Sequence, residues 1–291
     1  MAASTPSVPS SWTARLGTVG VWRSTSSITP ELAQTIEQLG YGTLWLGGSP
    51  ESALHEAEEF LDATEHLQIA TGIVNIWQSD AAELAASYHR IEARHPGRLL
   101  LGIGTGHRES TPERVRPIDA MVSYLDVLDR ENVPVESRAI SALGPRMLEL
   151  ARERSAGTHP YLTVPTQTRE ARDALGAAAL VAPEQTVVLD ENSDSARVSA
   201  RRFLKSYLQL DNYTRNMRRA GFTDDDIANG GSDQLVDGLV AHGSAAEISA
   251  VVQSHLDQGA DHVCIQVQPA NSDITTPLEL IAAELSLTAQ R

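Results

Sequence analysis

Short apolar runs recur eight times along this chain, each too brief for a helix and rich in Val, Ile and Leu, with amphipathic stretches between them. They are "RLGTVGVW" (15–22), "GTLWLG" (42–47), "LQIATGIVN" (67–75), "RLLLGIG" (98–104), "SRAISAL" (137–143), "GTHPYLTV" (157–164), "QTVVLD" (185–190) and "HVCIQV" (262–267). Strands that are apolar on both faces need cover on both faces, so the alternation implies a parallel sheet overlaid with helices. Eight such units in 291 residues favour a single (β/α)8 TIM barrel over an open doubly wound sheet.

The intervening segments carry helix start and stop signals. Thr29-Pro30 opens "PELAQTIEQLG" and Gly40 closes it. Asp80 with Glu83, and Ser244 with Glu247, have capping-box spacing before their apolar stretches. The regular rhythm breaks once, between 190 and 243, where a long helical insertion separates the seventh and eighth strands. An insertion in a loop that leaves a strand sits over the barrel's C-terminal face, the face that carries active sites in such barrels. With no linker legible, residues 15–291 read as one domain behind a flexible Ser/Pro leader over 1–14.

Composition narrows the chemistry. A formal net charge of −15 argues against nucleic acid, whose phosphates need clustered cations. The nearest such cluster, "RNMRRAG" at 215–221, reads as a solvated helix face. Lys205 is the only lysine and no glycine loop precedes it, which disfavours Schiff-base and P-loop mechanisms. Cys264 is the only cysteine, which removes intramolecular disulfides and thiolate zinc sites, and the scattered histidines make a metal-dependent hydrolase a weak alternative. No apolar run approaches the ~20 residues of a membrane span. A cytoplasmic protein acting on a small molecule, without membrane or nucleic-acid partners, is the expectation.

The fourth strand ends in "GRLLLGIGTGHRES", with glycines at 102, 104 and 106 followed by His107, Arg108 and Glu109. The spacing departs from GxGxxG, and a helix follows where a dinucleotide fold needs a strand ending in an acid. Glycines at a barrel strand's C-terminal end have two other readings: a tight turn, or bare backbone for a flat ring or phosphate.

This motif resembles the fourth-strand element of the bacterial-luciferase-like flavin and deazaflavin oxidoreductases. Four further segments resemble that family in the right order: "LGYGTLWLGGSP", "LQIATGIVNIW", "SALGPRMLELA" and "GADHVCIQV". The resemblance spans roughly residues 15–285. It implies a (β/α)8 barrel that uses coenzyme F-420 as a hydride carrier toward an unknown organic substrate. The alternatives are an FMN-dependent monooxygenase of the same fold and a non-catalytic flavin- or deazaflavin-binding carrier or sensor. Homodimers are also implied, although no exposed apolar stripe is legible.

Residue by residue, the resemblance implies a bulge in strand three with a non-proline cis bond at Gly72-Ile73 behind the cofactor ring. Asn75 stands beside the ring's polar edge or is a turn residue. Thr105 and Gly106 match positions near the ring, and His107 matches a proton-transfer position or else caps its loop. Ser141, Ala142, Leu143 and Gly144 lead into a helix whose free amides and dipole suit the cofactor's phosphodiester. Trp22 walls the substrate pocket or belongs to the barrel core, while His159 and Tyr161 are ring or substrate contacts. Gly48 and Ser49 stand where many deazaflavin members carry an Asp-His pair, so strand two supplies no group that titrates usefully near neutrality. Glu184 and Gln185 read as the lead-in to the seventh strand, at the wrong end of the barrel for a site.

Overall fold

The computed structural model describes residues 11–106 and 115–289. The apolar runs form the strands Val19–Ser24 (β1), Thr43–Gly47 (β2), Gln68–Thr71 (β3), Val74–Asn75 (β4), Leu99–Gly104 (β5), Arg138–Ile140 (β6), Gly157–Thr158 (β7), Leu180–Val181 (β8), Glu184–Leu189 (β9), Val240–Gly243 (β10) and Val263–Val267 (β11). Two barrel positions are each split into two segments. β3 and β4 flank a break at 72–73, and β8 and β9 are successive halves of one run. β8 pairs with β7, whereas β9 pairs with β11, which in turn pairs with β1. The divided seventh strand thereby closes a parallel cylinder, the (β/α)8 barrel expected from the alternation.

Helices Pro30–Gln38 (α2), His55–Ala63 (α3), Ala81–Arg94 (α4), Pro117–Arg130 (α5), Pro145–Arg154 (α6), Pro165–Leu175 (α7), Ala245–Asp257 (α12) and Thr275–Glu284 (α13) are distributed along the chain between and after the strands. Their ends follow the sequence signals. The Thr29 side chain accepts from Leu32 N–H, Asp80 from Ala82 and Glu83, and Ser244 with Glu247 completes a capping box. A short N-terminal helix, Ser11–Arg15 (α1), corrects the expected leader. Trp12 is buried and its indole donates to Glu136 O, so the chain from residue 11 onward packs against the barrel.

The barrel interior is built around one large ring. Trp45 on β2 is fully buried, and Ala70, Ala139, Ala156 and Ala182 are among the residues clustered with it. Small side chains on the neighbouring strands leave the volume that the indole fills, as interior packing at crystal-like density requires.

The insertion comprises Ser193–Tyr207 (α8), Asp211–Arg219 (α9), Asp224–Ile227 (α10) and Asp233–Leu239 (α11). Leu204, Met217, Leu235 and Leu239 form its own core against Val188 and Val240 of the sheet. The expected all-helical insertion ends early, because Val240–Gly243 is the strand β10, paired in parallel with β9. The free edge of β9 decides this, since it offers unpaired backbone groups to any extended segment beside it.

Candidate active site at the barrel mouth

A cavity of about 390 Å³ opens where β1, β2, β4 and β5 end, and the insertion contributes to its wall. Its size is that of a small-molecule site. Below it lies an aromatic and imidazole layer. His159 stacks on Trp45 with ring centroids 3.9 Å apart, and the Trp45 indole donates to His262 Nε2 at 3.0 Å. The His262 Nδ1–H bonds Gly17 O at 2.8 Å and the His159 Nδ1–H bonds Ala182 O at 2.7 Å. Burial pushes both imidazoles down to about 4, so they stay neutral at physiological pH. His159 Nε2 is a buried acceptor with no hydrogen-bond partner among the described residues.

The expected bulge is present. Ala70 pairs with Leu100 and Val74 with Ile103, so β3–β4 advances one residue more than β5 across the break. The Gly72-Ile73 bond within it is cis. Trp22 at the end of β1 ties this bulge down by donating its indole N–H to Gly72 O at 2.9 Å. A Cβ on Gly72 would stand 2.7 Å from Trp22 Nε1, and one on Gly47 only 2.0 Å from the same ring. Both glycines are the imprint of one indole. Trp22 also lines the cavity, so it is a wall and an anchor together.

The glycines of the fourth strand also make room for strand three. A Cβ on Gly102 would lie 1.8 Å from Thr71 O, and one on Gly104 would lie 2.8 Å from the Ile73 side chain. Gly106 has φ +54°, and a Cβ there would meet Asn75 Nδ2 at 2.5 Å. Strand three thus presses its own atoms into the gaps. Ile73, Asn75, Gly104, Thr105 and Gly106 then face the cavity together. Asn75 is held by accepting from Trp77 N–H at 3.1 Å, while the Trp77 indole donates to Thr105 O at 2.8 Å.

On the opposite rim, Ser141, Leu143 and Gly144 line the cavity at the start of α6. The N–H groups of Ala142, Leu143 and Gly144 have no partner among the described residues. The Ala142 side chain itself is not on the wall; it is buried in the main core. A Cβ on Gly144 would come within 3.6 Å of Arg219 Nη1. Arg219 has no ion pair among the described residues. A helix start, free amides and a cation therefore meet at one place, a combination that favours an anion. On "RNMRRAG", Met217 and Asn216 are buried while Arg215, Arg218 and Arg219 are exposed, so the segment is a solvated face only in part.

The insertion supplies an aromatic wall that the sequence reading missed. Tyr207 from α8 and Tyr213 from α9 stand with centroids 5.1 Å apart, and Tyr161 lies 5.6 Å from Tyr207 and 5.7 Å from Trp22. Phe203 and Tyr207, four positions apart on one helix face, were the available signal. Met147, Trp77 and Asn212 also line the cavity without having been foreseen. Gly48 and Ser49 take consecutive left-handed conformations, φ +80° and +59°, on the cavity rim. His107, the expected proton-transfer group, lies outside the described residues. Glu184 is corrected: it begins β9 and lies within the barrel, fully buried, accepting from Thr186 Oγ1 at 2.6 Å and Leu162 N–H at 3.3 Å. Burial raises it to about 7.

The wall residues fit a flavin-type cofactor: a cleft against the bulge, a carboxamide at its edge, a buried imidazole whose Nε2 has no partner among the described residues, and an anion-seeking helix start at its far end. The family model described as luciferase-like monooxygenase matches residues 16–130. No curated protein matches the chain. Among solved structures, an F-420-dependent secondary alcohol dehydrogenase in complex with an F-420–acetone adduct is similar, with TM-score 0.71 and 15% identity over 94% of this chain and 99% of that one. A coenzyme F-420-dependent tetrahydromethanopterin reductase from Methanopyrus kandleri gives TM-score 0.66 at 14% identity, covering 92% and 97%. The oxygenating constituent of 3,6-diketocamphane monooxygenase from Pseudomonas putida, in complex with FMN, gives 0.64 at 13%, covering 92% and 97%. At these identities the structures speak for the fold.

Proposed function

We propose, from the match of residues 16–130 to the luciferase-like monooxygenase family model, that this protein is an oxidoreductase using coenzyme F-420 toward a small organic substrate. The observation that carries the reading is the bulge at Gly72-Ile73, pinned by Trp22, on the floor of a cavity that ends at an anion-seeking helix start. When bound, the deazaflavin supplies a hydride acceptor or donor, and the protein's task is orientation and exclusion of water.

In this reading Gly72, Ile73, Thr105 and Gly106 back the ring and Asn75 presents its carboxamide to the polar edge. The amides from Ala142 to Gly144, with Arg219, hold the anionic tail, while Ser141 lines the approach. Gly48 and Ser49 contribute shape alone, which leaves proton transfer to His107. The imidazole of His159, held neutral, acts as an acceptor beneath the site instead of an acid. Among the described residues no helix is long and apolar enough to cross a membrane; residence in the cytoplasm is part of the proposal.

Titrating the purified protein with F-420 and with FMN separately tests the cofactor assignment. Tighter binding of F-420 is expected. A preference for FMN by more than about tenfold, some 1.4 kcal/mol, reverses the assignment to an oxygen-using flavin monooxygenase. Tight binding of either without turnover on any substrate panel would favour the carrier or sensor.

A further inference from the structure

We propose that Nε2 of His159 accepts a hydrogen bond from an N–H or O–H group of the molecule bound in the cavity, and so selects a ligand that carries such a donor where it meets the floor at Gly72. The inference rests on the reading of this cavity as the reaction site and holds whichever cofactor occupies it.

The imidazole is locked in place. Its Nδ1 lies 2.7 Å from Ala182 O, and a carbonyl only accepts, so Nδ1 carries the proton. Burial, reinforced by the nearby His262, disfavours a second proton. Nε2 is left with one lone pair in the ring plane. The ring lies flat on Trp45, with 3.9 Å between centroids and 15° between planes. Trp45 is itself fixed by donating to His262 Nε2, and His262 by donating from Nδ1 to Gly17 O. A ring stacked and bonded in this way cannot swing its lone pair toward another partner.

That lone pair has no hydrogen-bond partner among the described residues, although His159 is only 1% exposed. Leaving a buried acceptor unpaired is costly, and in native proteins such a group marks a ligand, a water or a catalytic role. The Nε2 end is also the end that faces the site. A Cβ on Gly72 would stand 3.3 Å from Nε2, and Gly72 and His159 both line the cavity. Glycine at 72 therefore keeps a side chain off the acceptor as well as clearing Trp22. A ligand seated against Gly72 meets the lone pair. A donor there completes the pair, whereas a carbonyl or ether oxygen would set two acceptors against each other.

Nitrogen NMR of the full chain, isotopically labelled on its histidine rings, tests this, with His159 assigned by the loss of its signals in His159→Asn. An unprotonated ring nitrogen moves upfield when it accepts a hydrogen bond. Nε2 is expected to move upfield with F-420, FMN or cyclohexanol, the alcohol being added at millimolar concentration to the cofactor-free and the cofactor-loaded protein. Movement with a cofactor alone places the donor on the cofactor ring. Movement that needs cyclohexanol places it on the substrate, and cyclohexyl methyl ether should then leave Nε2 in place. No movement with any of the three, or equal movement with the ether in the cofactor-free protein, overturns the proposal. His159→Asn keeps a donor for Ala182 O and loses the acceptor, so it should weaken the probe that moves Nε2 by roughly tenfold, and His159→Gln should recover most of that loss. Unchanged affinity in His159→Asn contradicts the proposal as well, while the NMR arm reads the unmodified protein and does not depend on how either variant folds. F-420 bound by calorimetry with Nε2 unmoved in every arm removes this inference and leaves the cofactor assignment standing. Movement with cyclohexanol in a protein that binds neither cofactor does the reverse.

Discussion

A Cβ at Gly47 would stand 2.0 Å from Trp22 Cζ2, so alanine there has to displace the indole that holds Gly72 O. Overpacking of this kind costs about 1–3 kcal/mol. Gly47→Ala is therefore expected to lose that much stability in urea unfolding. In a Trp22→Ala background the same change should cost less than half as much, because the obstructing ring is gone. An equal cost in both backgrounds would mean the two residues are uncoupled. The sequence displayed the glycines at 47, 72, 102, 104 and 106, and it displayed Trp22. What it did not display is which atom each glycine accommodates. Gly102 yields to the Thr71 carbonyl and Gly106 to the Asn75 carboxamide, and such partners across strands have no local signature.

At the scale of elements, the seventh strand differs most from its reading. Glu184 looked like a lead-in residue, because an acid before an apolar run ordinarily marks a solvated end. Pairing of Leu180 with Gly157 and of Val181 with Thr158 starts the strand earlier, and this draws the carboxyl into the barrel. Its folded value of about 7 exceeds the ordinary value of 4.5, so the folded state binds the extra proton between those pH values. Stability from this group is then full below about 4.5 and falls as pH rises toward 7. Glu184→Gln retains an acceptor oxygen without the charge. It is expected to be near neutral at pH 5 and to stabilise at pH 8, by on the order of 1–3 kcal/mol. A thermal midpoint difference that fails to grow with pH would show that the buried charge is not the burden. The insertion is the counterpart case. Its helices were legible from their periodicity, while β10 depended on the open edge of β9.

For the whole molecule, three buried imidazoles, His159, His255 and His262, are each lowered to about 4 from 6.5. Between those values the unfolded chain takes up protons that the folded chain refuses, so stability rises with pH through that window and is lost on acidification. Glu184 opposes this with one proton between 4.5 and 7. Three against one leaves a net slope of about two protons, on the order of 2–3 kcal/mol per pH unit where all four titrate. The urea midpoint is accordingly expected to drop clearly from pH 7 to pH 5. A midpoint that holds constant over that range would contradict the neutral imidazole layer.

By itself the sequence determined the barrel, its strand order, its capped helices and the place of the insertion, because periodicity and caps are local and every turn of chain carries them. It also marked the bulge and the glycine-rich strand end through their resemblance to a family. Only the tertiary structure decided what those features do. It joined Trp22 to Gly72 across 50 positions, brought Arg219 to the start of α6, and turned Tyr207 and Tyr213 from a distant insertion onto the cavity. Closing a cylinder brings together residues remote in sequence, and contacts made by closure are set by the register of the whole sheet rather than by any short stretch of it.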